Sequence, residues 1–150
     1  MGSKFKGSIE KKTALETYIK FFRASEIVKS KISAITNSLG FSEGQYYVLD
    51  ALYHLGSLPQ KILAEKIMRT EGNITMIINN LLKRKLIKKV KSKEDGRVHI
   101  ISLTEKGITE FEKIFPVVAN EIETIFASLA PEEKILLQNL CKKVGLSINK

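Results

Sequence analysis

The residue patterns predict a mainly α-helical chain carrying one small β-hairpin, and three observations support this. Apolar residues recur at helical spacing through most of the 150 residues. Two β-rich runs, Leu86 to Lys91 and Val98 to Leu103, flank Ser92-Lys-Glu-Asp-Gly-Arg97, whose Asp95-Gly96 pair has the chemistry of a hairpin turn. Positive charge is concentrated: of a formal +9, the stretch Lys83 to Arg97 supplies +6, eight Lys or Arg less Glu94 and Asp95.

Each element has a local cause. From about Lys11 to Ser38 a stripe of Leu15, Tyr18, Ile19, Phe22, Val28, Ile32, Ile35 and Leu39 predicts a long helix that Gly40 ends. Ser42-Glu-Gly-Gln45 fits a capping box for a second helix carrying Tyr46, Val48, Leu49, Leu52 and Leu55 and stopping at Gly56. Pro59 suits the first turn of a short third helix with Leu63, Ala64, Ile67 and Met68 inward, because its missing N–H has no helical partner there. Thr70 caps a fourth helix, with Ile74, Ile77, Ile78, Leu81 and Leu82 on one side and Asn73, Thr75, Met76, Asn79, Asn80 and Lys83 on the other.

After the hairpin, Thr104 caps a helix whose Ile108, Phe111, Phe115, Val118, Ile122, Ile125 and Leu129 alternate at spacings of three and four, a heptad seam that requires a helical partner. Pro116 is expected to bend it. A last helix starting at Pro131 is expected to bury Leu136, Leu137, Leu140 and Val144 before Gly145. Helix, helix, strand, basic loop, strand, helix between Pro59 and Gly107 is the element order of a winged helix-turn-helix, and that order predicts a reader of double-stranded DNA. The chain reads as one domain, with winged helix-turn-helix over about 42–104 and flanking helices over about 11–38 and 108–145.

Other classes fit poorly. Met1 to Lys12 is polar and basic, without the apolar run of a signal peptide, and no window is apolar for the length a bilayer requires, so a cytoplasmic address is expected. One cysteine, Cys141, excludes an intrachain disulfide and a cysteine metal site, and its place beside Leu137, Leu140 and Val144 predicts a buried, inert thiol. His54 and His99 show no carboxylate or cysteine companion at ligand spacing, and neither a phosphate-cradling glycine loop nor a nucleophile motif occurs. Neither enzymatic activity nor a cofactor or metal is expected.

Asn73, Thr75, Met76 and Asn79 are the candidates for base readout, since Asn and Thr hydrogen-bond base edges in the major groove and methyl groups pack on thymine. Lys83, Arg84, Lys85 and Lys93 are placed to meet phosphates, which fix register without carrying sequence. Asp95 and Arg97 form the wing pair. Glu71 at the helix start favours the helix dipole or meets a cytosine amino group. Two rival readings stand beside sequence-specific recognition: a non-specific architectural DNA binder, and a winged helix that binds protein.

At Leu63-Ala-Glu-Lys-Ile67, followed by Ile74-Thr75, Leu81, Asp95-Gly-Arg97 and Leu103-Thr-Glu-Lys-Gly107, the chain resembles the MarR family of bacterial transcriptional regulators. The resemblance implies a homodimer built by the terminal helices, two reading heads on a pseudo-palindromic operator, and an Arg97 that enters the minor groove with Asp95 as its orienting partner. It implies repression relieved by a signal, often a small aromatic or anionic effector bound between dimerisation helices and reading head. Tyr18, Phe22, Tyr46, Tyr47 and Tyr53 either line such a cleft or are plain core. Lys85 departs from the family pattern, standing where a glycine is usual after the recognition helix.

Overall fold

A computed structural model describes residues 4–148, so the first three residues of the polar N-terminal stretch lie outside the described residues. In chain order the elements are α1 (Ile9–Ser38), α2 (Glu43–Leu55), β1 (Leu58–Pro59), α3 (Gln60–Lys66), α4 (Glu71–Lys83), β2 (Ile87–Lys91), β3 (His99–Leu103), α5 (Glu105–Ile125) and α6 (Pro131–Ile148). Helix starts follow the side chains that satisfy their free N–H groups. Ser8 caps α1, and the Ser42 hydroxyl accepts from Gln45 N while the Gln45 side chain accepts from Ser42 N, completing the box on α2. Thr70 accepts from Asn73 N and Thr104 from Gly107 N, setting the starts of α4 and α5.

Three helix ends share one device. At Gly40, Met68 and Lys85 the backbone turns left-handed, with φ of 84°, 54° and 59°. In each case the next residue's N–H bonds to a carbonyl five residues back: Phe41 to Thr36, Arg69 to Ala64 and Leu86 to Leu81. This Schellman ending favours glycine, because a Cβ in that conformation costs about 1 kcal/mol. Lys85 therefore keeps the backbone that the usual glycine would have. Lys85→Gly is expected to raise stability by up to about 1 kcal/mol, read as a higher midpoint in urea; a lower midpoint would show that the lysine side chain stabilises the turn.

The sheet has three antiparallel strands in the order β1-β3-β2, with Leu58 opposite Ile101 and Ile87 opposite Leu103. β1 was not expected. Pro59 does not open α3 but closes β1 opposite Ile100, on an edge where its missing N–H breaks no ladder. The wing loop spans residues 92–98, close to the expected 92–97, but its turn does not use a left-handed glycine, since Gly96 is not among the positive-φ glycines. Instead the loop is closed by Val98 N to Asp95 O, Ser92 N to Val98 O and Arg97 N to the Asp95 carboxylate.

The core lies between the end of α1, α2, α3, α4, the sheet and α5 as far as Val118, where Leu49, Leu63, Ile74, Ile78, Leu81, Ile101, Phe111 and Val118 are fully buried. Most of the predicted heptad seam meets it: Phe111 and Val118 are buried, joined by Ile114, and Phe115 and Ile125 pack half-buried against them, whereas Ile108 and Ile122 face outward and Leu129 lies beyond the end of α5. α5 runs as one helix through Pro116. α6 overturns an expectation, since it continues past Gly145 and has no buried residue, leaving Leu136, Leu140 and Val144 at 57%, 51% and 55% exposure. Cys141 is exposed with them rather than buried, because among the described residues of one chain nothing packs over that stripe.

Candidate nucleic-acid interface

α4 presents the face that the sequence assigned to it. Ile74, Ile77, Ile78 and Leu81 anchor its inner side, which holds Asn73, Thr75, Met76, Asn79 and Asn80 outward in one exposed strip. Thr75 is more constrained than its neighbours. Its hydroxyl donates to the Glu71 carbonyl at 2.9 Å and accepts from Gln60 Nε2 at 3.2 Å. Gln60, at the first position of α3, was missed by sequence reasoning, because a bond across fifteen residues leaves no local signal. Its Oε1 is buried without a hydrogen-bond partner.

The wing stands beside α4. Lys93 and Arg97 are exposed on the loop, while Lys88, Lys89 and Lys91 are carried on β2. Asp95 receives the Arg97 backbone N–H at 3.0 Å and its guanidinium at 3.2 and 3.4 Å, so the pair is a local clamp. Those bonds hold the Asp95 carboxyl below its ordinary pKa. The Arg97 side chain is nevertheless 92% exposed and can extend into a groove.

One of the cations has another task. Arg84 lies half-buried, with its guanidinium 4.0 Å from the centre of the Phe41 ring and donating to the Gly40 carbonyl at 3.0 Å and Gln45 Oε1 at 3.4 Å. It ties the end of α4 to the α1–α2 turn instead of facing phosphate, whereas Lys83 and Lys85 on either side stay exposed. Arg84→Ala is expected to destabilise the chain by about 1–2 kcal/mol through lost cation–π and hydrogen-bond contacts. At a temperature where both proteins are folded, its DNA affinity should stay within about 2-fold of wild type; a large loss of affinity with unchanged melting would return it to the interface.

The five aromatics proposed for an effector cleft do not come together. Tyr46 is 3% exposed in the core against Phe111, and the Tyr53 ring lies tilted 4.8 Å from that of Phe111 while its hydroxyl donates to Glu112 at 3.0 Å. Tyr18 and Phe22 stack on each other on the exposed face of α1. Tyr47 lines a 590 Å³ cleft between α1, α2 and the α3–α4 turn, with Lys29, Lys66, Arg69, Glu43 and Asp50, whereas Tyr53 lines a separate 330 Å³ space with Lys88, Ser102 and Ile108. Burial pushes the Tyr47 hydroxyl above its ordinary pKa, with Glu43 adding to the shift, so this phenol stays protonated. Asp50 is also pushed up by burial, opposed by His54, whose Nε2 lies 3.5 Å from it. His54 thus has a carboxylate companion one turn away, contrary to the sequence reading; among the described residues no group of His, Cys, Asp and Glu is arranged to hold a metal.

An exposed polar helix beside a cationic hairpin, both carried on a helical frame, defines a winged helix-turn-helix. A family model described as the transcriptional regulators SarA/Rot matches residues 30–114. The HTH-type transcriptional regulator MhqR of Bacillus subtilis is 31% identical over 134 residues, covering 89% of this chain and 92% of its own. Among solved structures, AbsC, a MarR family transcriptional regulator from Streptomyces coelicolor, superposes with a TM-score of 0.83 over 97% of this chain and 99% of its own at 16% identity. The PcaV transcriptional regulator from the same organism, in complex with its natural ligand, gives 0.71 over 81% and 88% at 23% identity. The chain belongs to the SarA/Rot transcriptional regulators and has the MarR-type winged helix-turn-helix fold.

Proposed function

We propose that the chain acts as a homodimeric, cytoplasmic repressor that reads a pseudo-palindromic operator with two copies of α4 and releases it on binding a small aromatic or anionic effector. The exposed polar face of α4 beside the Arg97 wing carries this reading, because a folded chain leaves such a face uncovered where a groove will cover it. The unburied stripe of α6 supports a paired scaffold, as does the aromatic face of α1. No described helix is long and apolar enough to cross a membrane. Two-fold pairing sets half-sites about one helical turn apart.

The Tyr47 cleft supports an effector. Lys29, Lys66 and Arg69 line it, and although the Arg69 guanidinium pairs with Glu43 at 3.7 Å, its Nε is buried without a hydrogen-bond partner, so a carboxylate on an aromatic ring would find a free donor there. The cleft is lined by Ile67, Met68 and Arg69 of the α3–α4 turn, so an occupant there meets the segment that leads into the recognition helix. Among the structural relatives, BpsR of Bordetella bronchiseptica has its DNA binding regulated by 6-hydroxynicotinic acid.

Selection of duplexes from a random pool, followed by titration with and without 6-hydroxynicotinic acid, tests this. A selected palindrome bound about 10³-fold or more tightly than random duplex is the expected result. Equal affinities would favour the architectural binder, and no salt-sensitive duplex binding at all would favour a protein-binding module. The acid is expected to weaken operator binding by the wild type and not by Arg69→Ala.

A further inference from the structure

Resting on the reading of α4 as the recognition helix, we propose that Thr75 reads a thymine methyl rather than a base-edge polar group, and that Gln60 is the positioning residue that makes it do so. A threonine side chain offers DNA one hydroxyl proton, oxygen lone pairs and one methyl. Here the proton is committed to the Glu71 carbonyl at 2.9 Å, one turn back on the same helix. Since the hydroxyl proton points at Glu71, the oxygen faces Gln60 as an acceptor, and the Gln60 amide must present its NH2 group, which it does at 3.2 Å. These two bonds fix the side-chain rotamer from both sides. The Cγ2 methyl is then the part of this exposed residue that carries no polar obligation, and in the major groove a methyl finds its partner on the C5 of thymine.

Gln60 is held well for this role. It stands at the first turn of α3, directly after β1 has been pinned to β3, so its backbone is fixed by the sheet. With Thr75, Ile74, Lys89 and His99 it lines a shallow 240 Å³ depression between α3, α4 and the wing. Its buried Oε1 has no hydrogen-bond partner, so the Nε2 bond to Thr75 is what orients this amide. Loss of Gln60 leaves the Glu71 carbonyl alone holding the Thr75 hydroxyl, so its oxygen is open to solvent or to DNA and the side chain can trade methyl contact for indiscriminate polar contact.

The test replaces each thymine of a selected duplex in turn by deoxyuridine, which removes only the C5 methyl. Wild type is expected to lose about 4-fold in affinity at one thymine per half-site, the value of burying one methyl group. Thr75→Ser keeps both hydrogen bonds and loses the methyl, so it should bind thymine and uracil duplexes equally at that position. Gln60→Ala should also lose the discrimination, and adding Thr75→Val should restore it, because valine carries a methyl at both γ positions and needs no orienting partner. Thermal melting of each variant checks that the fold persists. Selective duplex binding with no uracil effect erased by Thr75→Ser overturns this proposal alone, as does full discrimination in Gln60→Ala. Failure to select any duplex overturns the operator reading and this proposal together.

Discussion

Gly107→Ala should destabilise the chain by about 3 kcal/mol, the largest effect expected of any single methyl added to it. A Cβ built at Gly107 overlaps the Leu86 carbonyl oxygen, lies 3.0 Å from the Leu86 carbonyl carbon and comes within 3.3 Å of the Leu103 side chain. That oxygen cannot move aside. It accepts the Thr104 N–H at 3.0 Å, while the neighbouring Lys85 carbonyl accepts the Thr104 hydroxyl at 2.7 Å, and Leu86 itself is buried. The first turn of α5 is thereby bolted to the end of α4 and the start of β2, so relief of the overlap shifts the recognition helix or the wing. Urea denaturation should show the loss, and duplex binding should weaken even where the protein is folded. Gly72→Ala supplies the contrast: its Cβ meets nothing within 4 Å, and in the first turn of α4 it should gain about 0.5 kcal/mol. A Gly107→Ala protein as stable as wild type would mean that the α5 joint is looser than this packing requires.

Arg97→Ala should reduce operator affinity about 10- to 100-fold while leaving the melting temperature unchanged. The two halves of that expectation have separate causes. The side chain is 92% exposed and among the described residues its bonds run only to Asp95, so the folded chain loses almost nothing with it. In a narrow minor groove the same guanidinium meets concentrated negative potential, and removing it also lowers the slope of log affinity against log salt by about one. Asp95→Asn should be milder, because an amide oxygen still accepts the Arg97 backbone N–H and keeps the turn closed. Mobility-shift titration reads both; unchanged affinity in Arg97→Ala removes the wing from recognition.

What the sequence made legible were features whose cause is local. The Ser42/Gln45 box, the Thr70 and Thr104 caps and the two-sided pattern of α4 depend on residues within a few positions of one another, and each stands where it was expected. Side chains whose partners lie far along the chain were misread. Arg84 reads as one more cation in a basic run until the fold brings Phe41 and Gly40 under it, and Gln60 is unremarkable until Thr75 arrives beside it. Tyr46 and Tyr53 were grouped with Tyr18 by residue type, yet Phe111 draws the first two to α5 and leaves Tyr18 on the outer face of α1. Likewise an apolar stripe announces that α6 must be covered without saying by which chain, which is why Cys141 was expected inside and stands outside.

Fluorescence-anisotropy titration of a selected duplex and a scrambled duplex of the same composition, over a salt series and with stoichiometry from sedimentation, tests most directly whether two reading heads engage one operator. Two chains per duplex are expected, with a selected-to-scrambled affinity ratio of about 10³ or more and log affinity falling steeply as log salt rises. One chain per duplex, or equal affinity for both duplexes at every salt concentration, would contradict a paired, sequence-reading regulator.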